Sequence, residues 1–416
     1  MWRLACLCLG LLGLSAAAPA AEPGDLAKVL TTVCQNPTAR PSELHGLLGQ
    51  QIYIHEAGTQ RQVTYQEASG ASVSVALSLF NGEVRRASLS YSEPIDGALH
   101  PVLSLQAGPS CTVASGRRIE RDANGSAQWL VHLDQALSDT DRREPLNPAV
   151  PPGQDPGGVS VAHIDSGVNY TLPEIAARLA RGAGGEALGY DFWDMDKRPF
   201  DVDAARSPFF PLHHGTLVAS ILVREAPAIR LIPYRYPRPD MSRMAEVLQH
   251  AASNGVKIVA MPLGSNTEAN WKAFKTAAAQ HAQMLFIVSA GNNGRNIDEQ
   301  PVYPAAYDLE NLLVVTSSTI SGRLAPEANW GPSAVDLMVP AERVEVTDHR
   351  GANGFASGSS YAVPRVAALA ARLLAKNPGW TAAQVKAAIK DLAAPGFDRS
   401  GPKVRWGWIP NPADDG

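Results

Sequence analysis

The feature that most constrains the fold is an alternation of short apolar runs and helical patterns along residues 158–416. The runs are almost continuously apolar, as residues 159–164 and 284–290 illustrate. The segments between them repeat apolar residues every three or four positions, which is the spacing of one helix face. Strands that are apolar on both sides and joined by helices form a parallel sheet covered on both faces. This part of the sequence therefore predicts an α/β domain with a parallel sheet between two layers of helices.

The preceding residues, 21–138, follow a different pattern. Residues 25–34 have helical spacing, but later apolar residues alternate with polar ones, as in strands that bury one face. Asn-Gly pairs at residues 81–82 and 124–125 separate alternating runs, and both residue types tolerate the positive φ of a tight hairpin. We expect a small β-rich domain with one helix and an antiparallel sheet. Its histidines are scattered among polar residues and form no catalytic pattern.

Residues 139–157 separate these two regions. A cluster of charged residues opens the segment, and Pro and Gly dominate the rest, including Pro151-Pro152-Gly153. Such a composition has little apolar surface to bury and favours an exposed, extended chain. The sequence therefore predicts a linker here, with domain boundaries at residues 138 and 158.

The first 20 residues have the pattern of an export signal. Arg3 precedes an apolar run that is too short to span a bilayer, and Ala18-Pro19-Ala20 supplies a cleavage site of small residues. We expect a secreted or periplasmic protein with no membrane span in the mature chain. Cys6 and Cys8 would be removed with the signal, which leaves Cys34 and Cys111. In an exported protein an even number of cysteines favours a disulfide. Two unpaired, buried thiols are the alternative.

The net charge of the chain is small. The sequence has 36 basic and 40 acidic residues, which gives a formal charge of −4. A chain of this charge has no general attraction for nucleic acid or for an anionic membrane surface. We therefore expect neither as a partner, and we expect a monomer.

Chemically useful side chains lie next to the predicted strands of the α/β domain, where parallel sheets bind their ligands. Asp165 follows the first strand, and His214 opens a helix. Asn292 lies on a glycine turn after a later strand, and Ser360 opens the long Ala-rich helix. A serine, an imidazole and a carboxylate are the groups that acyl transfer uses, and an amide can bind an oxyanion. His163 lies within the strand, two residues before Asp165, and we interpret it as structural.

The contexts of these residues resemble those of the subtilisin-like serine proteases, the subtilases, whose triad runs in the order Asp, His, Ser. Four short segments in the expected order carry the resemblance, which covers roughly residues 158–410 and implies a subtilisin-like fold. The segments are Asp165-Ser166-Gly167, His214-Gly215-Thr216-Leu217-Val218-Ala219, Ala290-Gly291-Asn292-Asn293-Gly294 and Gly358-Ser359-Ser360-Tyr361-Ala362-Val363-Pro364.

The resemblance implies a role for each of these side chains. Asp165 would orient the imidazole of His214, which would take the proton from Ser360 as the serine attacks the scissile carbonyl. The side chain of Asn292 would bind the oxyanion together with the backbone N–H of Ser360. The function that follows is an exported serine endopeptidase that forms an acyl-enzyme intermediate. Its partners would be polypeptide substrates, and it would require no cofactor.

Two departures from the family pattern leave a second function open. Tyr361 stands where subtilases usually have Met, and Pro262 removes one N–H from the segment that matches the family's substrate-binding edge. A peptide would pair with that edge as an added strand. The alternative function is a catalytically silent binding protein with the subtilase fold. The matching residues of the edge are Leu263, Gly264 and Ser265.

An acidic stretch before His214 raises the question of a metal. Calcium takes oxygen ligands from loops of this kind, and the resemblance keeps a structural calcium ion as an alternative. The aspartates lack a complete ligand spacing, so we predict a solvated acidic loop and no metal site. They are Asp191, Asp194, Asp196, Asp201 and Asp203.

The role of residues 21–157 has two interpretations. They are either a pro-region that is cut away after folding or a retained accessory domain. The hairpin-rich pattern with two cysteines does not resemble the short pro-region of the family. We therefore expect a retained domain.

Overall fold

The structure, a computed structural model, divides into two compact units, Met1–Leu146 and Asn147–Gly416. The export signal predicted for residues 1–20 lies outside the residues that the structure describes. Those residues are 22–48, 52–95, 97–398 and 401–414.

The amino-terminal unit contains one antiparallel sheet whose eight strands follow each other in sequence order. The strands are β1 (Ile52–Ala57), β2 (Gln60–Gln66), β3 (Ser72–Phe80), β4 (Glu83–Ile95), β5 (Ala98–Ala107), β6 (Val113–Arg121), β7 (Ala127–Leu133) and β8 (Asp139–Pro145). Asn81 and Gly82 form the turn between β3 and β4, with φ angles of 53° and 81°. The Asn-Gly hairpin expected at this point is confirmed.

The described residues of this unit also form the helices α1 (Pro23–Gln35) and α2 (Pro41–Leu48). Helix α1 packs on the middle strands of the sheet, and the residues of β3 alternate between more and less buried, as expected when one face meets a helix. Cys34 at the end of α1 forms a disulfide with Cys111, so the predicted pair is confirmed. The sequence predicts only α1, because the 8 residues of α2 are too few for a periodic apolar face.

Strand β8 corrects the predicted linker. Its residues pair with β7, with Arg143 opposite Val131 and Asp139 opposite Leu133. An edge strand is held by backbone hydrogen bonds and needs few apolar side chains, and charges on it hinder pairing with another chain. Residues 139–145 therefore belong to the sheet and not to an extended linker, whereas residues 146–157 have no regular secondary structure.

The carboxy-terminal unit contains the predicted parallel sheet, which has seven strands in the order β10-β11-β9-β12-β13-β14-β15. These strands are β9 (Val159–Asp165), β10 (Tyr190–Asp191), β11 (Ile229–Arg235), β12 (Ile258–Met261), β13 (Leu285–Ser289), β14 (Leu312–Ser318) and β15 (Leu337–Pro340). Every residue of β12 and β13 is buried, as expected for strands covered on both faces. The strand order reverses at β9, and ligand sites of parallel sheets lie at such points.

Helices flank this sheet, together with a separate antiparallel hairpin of β16 (Val344–Thr347) and β17 (Asn353–Ala356). The helices are α3 (Pro173–Ala176), α4 (Gly215–Glu225), α5 (Met244–Ser253), α6 (Lys272–Gln280), α7 (Ser359–Lys376) and α8 (Ala382–Asp391). Helices α5 and α6 share an apolar cluster with Ala162 and Ile164 of β9. Because side chains alternate along a strand, His163 and Asp165 face the other side, where α4 and α7 pack. Within the described residues, no helix is both long and apolar enough to cross a bilayer.

Candidate active site

The end of β9 and the start of α4 bring Asp165 and His214 together. Nδ1 of His214 lies 2.9 Å from each carboxylate oxygen of Asp165. An ionised carboxylate can only accept, so Nδ1 carries the proton and Nε2 is left to accept one. The side chain of Asp165 is 1% exposed, whereas that of His214 is 34% exposed. The imidazole is thus oriented by a buried carboxylate and remains open to solvent.

Gly215 permits this contact. A Cβ at Gly215 would lie 1.9 Å from the carbonyl oxygen of Gly167 and 3.2 Å from Cβ of Asp165. Any other residue would push α4 away from the strand end. The N–H of Gly215 also donates to Oγ of Ser166 at 2.9 Å. The start of α4 is therefore fixed against the end of β9 by close backbone packing and by a hydrogen bond.

The electrostatics of the pair favour its charged form. Burial opposes the charge on Asp165, but the charge and hydrogen bond of His214 outweigh it and hold the pKa of Asp165 below its usual value. Burial also opposes protonation of His214. The Asp165 carboxylate, with help from Asp201 and Asp203, raises the pKa of His214 above its usual value nevertheless. The site therefore stabilises an imidazolium cation at His214.

Asn292 lies on the loop after β13, next to the start of α7. Its Oδ1 accepts a hydrogen bond from the backbone N–H of Ser359 at 2.8 Å. Gly358, with φ of 128°, leaves space for this contact, since a Cβ there would lie 3.1 Å from the same oxygen. Because the amide oxygen faces Ser359, the amide nitrogen Nδ2 points the other way and is left as a donor.

Ser360 is the second residue of α7, and the residues on either side of it contact the rest of the site. Ser359 bonds Asn292, and the ring centroid of Tyr361 lies 6.0 Å from that of His214. The N–H of Ser360 is among the first four of the helix, which have no acceptor within it. The residues on either side of Ser360 thus bring the start of α7 close to Asn292 and to His214.

The family model for the subtilase family matches residues 157–408 of the chain. The chain belongs to the subtilase family. A thermophilic serine proteinase of Bacillus sp. (strain AK1) is 28% identical over 250 residues, which cover 57% of this chain and 56% of that protein. Subtilisin E of Bacillus subtilis (strain 168) is 28% identical over 257 residues, which cover 58% of this chain and 62% of that protein. The chain therefore matches less than two thirds of the length of these relatives.

Solved structures show the same subtilase fold. A cold-adapted subtilisin-like serine proteinase is 26% identical, with a TM-score of 0.50 over 64% of this chain and 94% of that one. A lanthipeptide protease is 22% identical, with a TM-score of 0.52 over 62% of this chain and 89% of that one. The subtilisin-like fold expected from the sequence is confirmed.

Asp201 supports the subtilase site without having been singled out in the sequence. It is fully buried, and its Oδ1 accepts a hydrogen bond from Oγ of Ser166 at 2.6 Å. Its Oδ2 accepts another from the N–H of Thr216 at 2.8 Å. Asp201 therefore anchors the first turn of the helix that follows His214. The sequence could not separate it from the neighbouring aspartates, because only burial and contacts distinguish it.

Asn329 is a second residue that sequence reasoning missed. It is fully buried, and its Nδ2 donates to the carbonyl oxygen of Ala290 at 2.9 Å. Its Oδ1 accepts hydrogen bonds from the N–H groups of Asn293 and Arg295 at 2.9 and 3.1 Å. The side chain thus holds the loop that carries Asn292 from both ends. An asparagine between apolar residues was the available signal, since a buried amide needs several partners.

The expected substrate-binding segment of this subtilase follows β12. Ser265 exchanges two backbone hydrogen bonds with Tyr303, of 2.9 and 2.8 Å. A cavity of about 170 Å³ lies beside Leu263 and Gly264. Its walls combine aromatic and apolar side chains with the guanidinium of Arg238, the amide of Asn270 and the hydroxyl of Ser265, and they also include Tyr236, Met241 and Trp271.

The acidic stretch is not solvated throughout, which corrects the sequence prediction. Asp191 is 2% exposed, and its Oδ2 lies 2.9 Å from Nη1 of Arg235, which also bonds Asp194. Burial raises the pKa of Asp191 to about 6, although the charge of Arg235 opposes it. Asp201 faces Ser166 and Thr216 instead.

Proposed function

We propose that this subtilase is an exported serine endopeptidase in which Ser360, His214 and Asp165 form the catalytic triad. Ser360 is the nucleophile, His214 is the general base and then the general acid, and Asp165 orients and stabilises the imidazolium. The hydrogen bonds between Asp165 and His214 are the observation that carries the proposal. They fix the tautomer whose Nε2 can accept a proton beside the start of α7.

The proposed reaction uses protein groups alone. Oγ of Ser360 forms a bond to the scissile carbonyl carbon while its proton passes to Nε2 of His214. The C–N bond then breaks, and the amine leaves with the proton from His214. Water attacks the acyl-enzyme by the same steps in reverse order, which releases the acid and restores Ser360.

The oxyanion of each tetrahedral intermediate is proposed to lie between Nδ2 of Asn292 and the backbone N–H of Ser360. Ser359 supports this assignment, because it holds the amide oxygen and so turns the nitrogen toward the reacting carbonyl. Donors that are fixed before the reaction stabilise developing charge without reorganisation, and removing one typically costs about 3 kcal/mol in the barrier.

The substrate is proposed to be an extended polypeptide that pairs with Leu263, Gly264 and Ser265. Pairing through the main chain accepts many sequences, so selectivity would come from side-chain pockets. The cavity beside this segment, whose walls include Trp271 and Arg238, is proposed to bind a side chain of the substrate. We expect neither nucleic acid nor a membrane span in this mode of action, and we expect the protein to act as a monomer.

Residues 21–157 are proposed to stay attached to the mature enzyme after the first 20 residues are removed. The disulfide between Cys34 and Cys111 supports this, since an oxidised, compact unit suits an exported protein. Mass spectrometry of the intact exported protein tests it. An amino terminus near residue 21 is the expected result, whereas one between residues 150 and 158 would identify a removed pro-region.

Labelling with a fluorophosphonate tests the catalytic assignment. The wild-type protein should be labelled at Ser360 and should cleave a casein or peptide substrate, and Ser360→Ala should abolish both. Ser357→Ala is the matched control, because Ser357 is an exposed serine three residues away. The Ser357→Ala protein should be labelled to the same extent as the wild type. Labelling that survives Ser360→Ala would refute the assignment. A wild-type protein that binds peptides without labelling or cleavage would instead be the silent binding protein.

A further inference from the structure

His163 is a buried imidazole behind the proposed triad that the reaction does not use. It lies in β9 two residues before Asp165, on the same face of the sheet, and its side chain is 0% exposed. Its Nε2 lies 3.0 Å from the carbonyl oxygen of Gly215, the first residue of α4. The same atom lies 3.8 Å from Oδ2 of Asp165. His163 therefore fills the corner between the strand that ends in Asp165 and the helix that follows His214.

The contacts of His163 define its protonation state. A carbonyl oxygen can only accept, so Nε2 carries the proton and donates to Gly215. Nδ1 is buried and has no hydrogen-bond partner among the described residues. Burial lowers the pKa of His163, although Asp165, the carbonyl of Gly215 and Asp201 favour its cation, while His214 opposes it. The group is thus a neutral imidazole whose N–H donates to the carbonyl of Gly215 and lies near the Asp165 carboxylate.

A hydrocarbon side chain would fill a strand interior without leaving a polar atom unpaired, and buried polar groups without partners are rare. The polar part of His163 that does have a partner is the N–H that joins β9 to α4. Asp165 is the last residue of β9, and His214 immediately precedes the first residue of α4. The hydrogen bond of His163 therefore links the two elements whose spacing sets the distance between Asp165 and His214.

We propose that His163 is a positioning residue for the triad. Its N–H holds the first residue of α4 against β9, and its dipole favours the Asp165 carboxylate in the orientation that meets Nδ1 of His214. It touches neither substrate nor the reacting atoms, and it acts through Asp165 and His214. This inference rests on the proposed function, but the geometry that it predicts can be measured without turnover.

NMR titration of the histidine side chains gives that measurement. In the full-length Ser360→Ala protein, the resonances of His214 are identified by their loss in a Ser360→Ala/His214→Gln double variant. Adding His163→Leu should lower the pKa of His214, because the contact with Asp165 that raises it loosens. His163→Gln keeps an N–H at the same reach and should restore most of the pKa. If His163→Leu does not fold, His163→Met, which also lacks the donor but adapts its shape, replaces it.

Kinetics of the active enzyme provide the second readout. His163→Leu should lower kcat by up to about 100-fold, since small misplacements of catalytic groups have effects of this size, and should leave KM nearly unchanged. The acid limb of kcat/KM should move to lower pH with the pKa of His214. Val161→Ala is the matched control, because Val161 is a fully buried residue on the same face of β9 that lies away from the pair. It should lower stability and leave both readouts unchanged.

The two hypotheses fail differently. A wild-type protein that is not labelled by fluorophosphonate would refute the proposed function, while the NMR titration would still report on the pair. A His163→Leu variant with a lower unfolding temperature but an unchanged pKa of His214 and an unchanged kcat would overturn the positioning role. His163 would then be a structural residue of the core.

Discussion

The two sheets of this protein place their polar side chains in opposite ways. In the antiparallel sheet, β3 alternates between buried and more exposed residues, so polar groups spread over a whole face. In the parallel sheet, β12 and β13 are buried throughout, and apart from interior residues such as His163 the polar groups of the site lie at the strand ends. Asp165 and the loop of Asn292 lie at two such ends. A sheet covered on both faces therefore concentrates its chemistry, whereas a sheet with one open face disperses it.

The largest effect should come from the nucleophile. Ser360→Ala should lower kcat by about a millionfold, the loss known for the corresponding change in subtilisin, because the remaining groups have no nucleophile to activate. Ser90→Ala changes an exposed serine of the antiparallel sheet and should leave kcat unchanged. Steady-state kinetics on a peptide substrate measure both. Equal losses in the two variants would break the contrast between the sheets.

The disulfide should affect stability and not chemistry. Cys34 and Cys111 close a loop with a sequence separation of 77, for which the chain-entropy model gives up to roughly 4.5 kcal/mol. The double variant Cys34→Ala/Cys111→Ala should lower the unfolding temperature of the amino-terminal unit, because the unfolded chain without the disulfide has more conformational entropy. Its kcat at low temperature should equal that of the wild type. A lost kcat with both units still folded would show that the antiparallel sheet contributes to the reaction.

The oxyanion donor should have an intermediate effect. Asn292→Ala should lower kcat by about 100- to 1,000-fold with little change in KM, because its amide is proposed to bind the charge that appears only in the transition state. Asn293→Ala is the control, since Asn293 contacts Asn329 through its backbone alone. A change confined to KM would assign Asn292 to substrate binding instead.

The sequence predicts those parts of the fold that depend on local patterns. The alternation of buried strands and helices gives the parallel sheet, and the Asn81-Gly82 turn gives a hairpin, because each pattern reflects neighbours along the chain. Strand β8 cannot be predicted in this way, since an edge strand can be held by backbone hydrogen bonds without a pattern of apolar residues. Its charged residues have the composition of a linker.

The site shows the same limit. Asp165 and His214 occupy the segments that sequence reasoning indicates, but Asp201 and Asn329 act through contacts with residues far along the chain. Asp201 meets Thr216, and Asn329 meets Ala290. No spacing rule identifies such partners. For the same reason the sequence predicts a solvated Asp191, although this residue forms a buried ion pair with Arg235.

The smallest expected effect is on the pH dependence of stability, to which His214 and His163, both close to Asp165, should contribute with opposite signs. The pKa of His214 is raised in the folded state, so its contribution to stability is complete below about pH 6.5, the unfolded value, and is lost as pH rises through the folded pKa. The pKa of His163 is lowered, so this residue contributes nothing above about pH 6.5 and opposes folding as pH falls below it.

Substitutions of the two histidines should therefore change the pH dependence of stability in opposite directions. Relative to wild type, the free energy of unfolding of His214→Gln should be lowest in acid, with the difference shrinking above about pH 6.5. Measured in the His214→Gln background, where the pKa of His214 plays no part, the free energy of unfolding of His163→Leu should improve relative to its parent as pH falls from about 6.5, because residue 163 of the unfolded chain then has no imidazole to protonate. Denaturant unfolding from pH 5 to 8 measures both curves. Curves that run parallel to the wild type would mean that neither imidazole changes its proton affinity on folding, and the parallel sheet would then hold these histidines no differently from exposed ones.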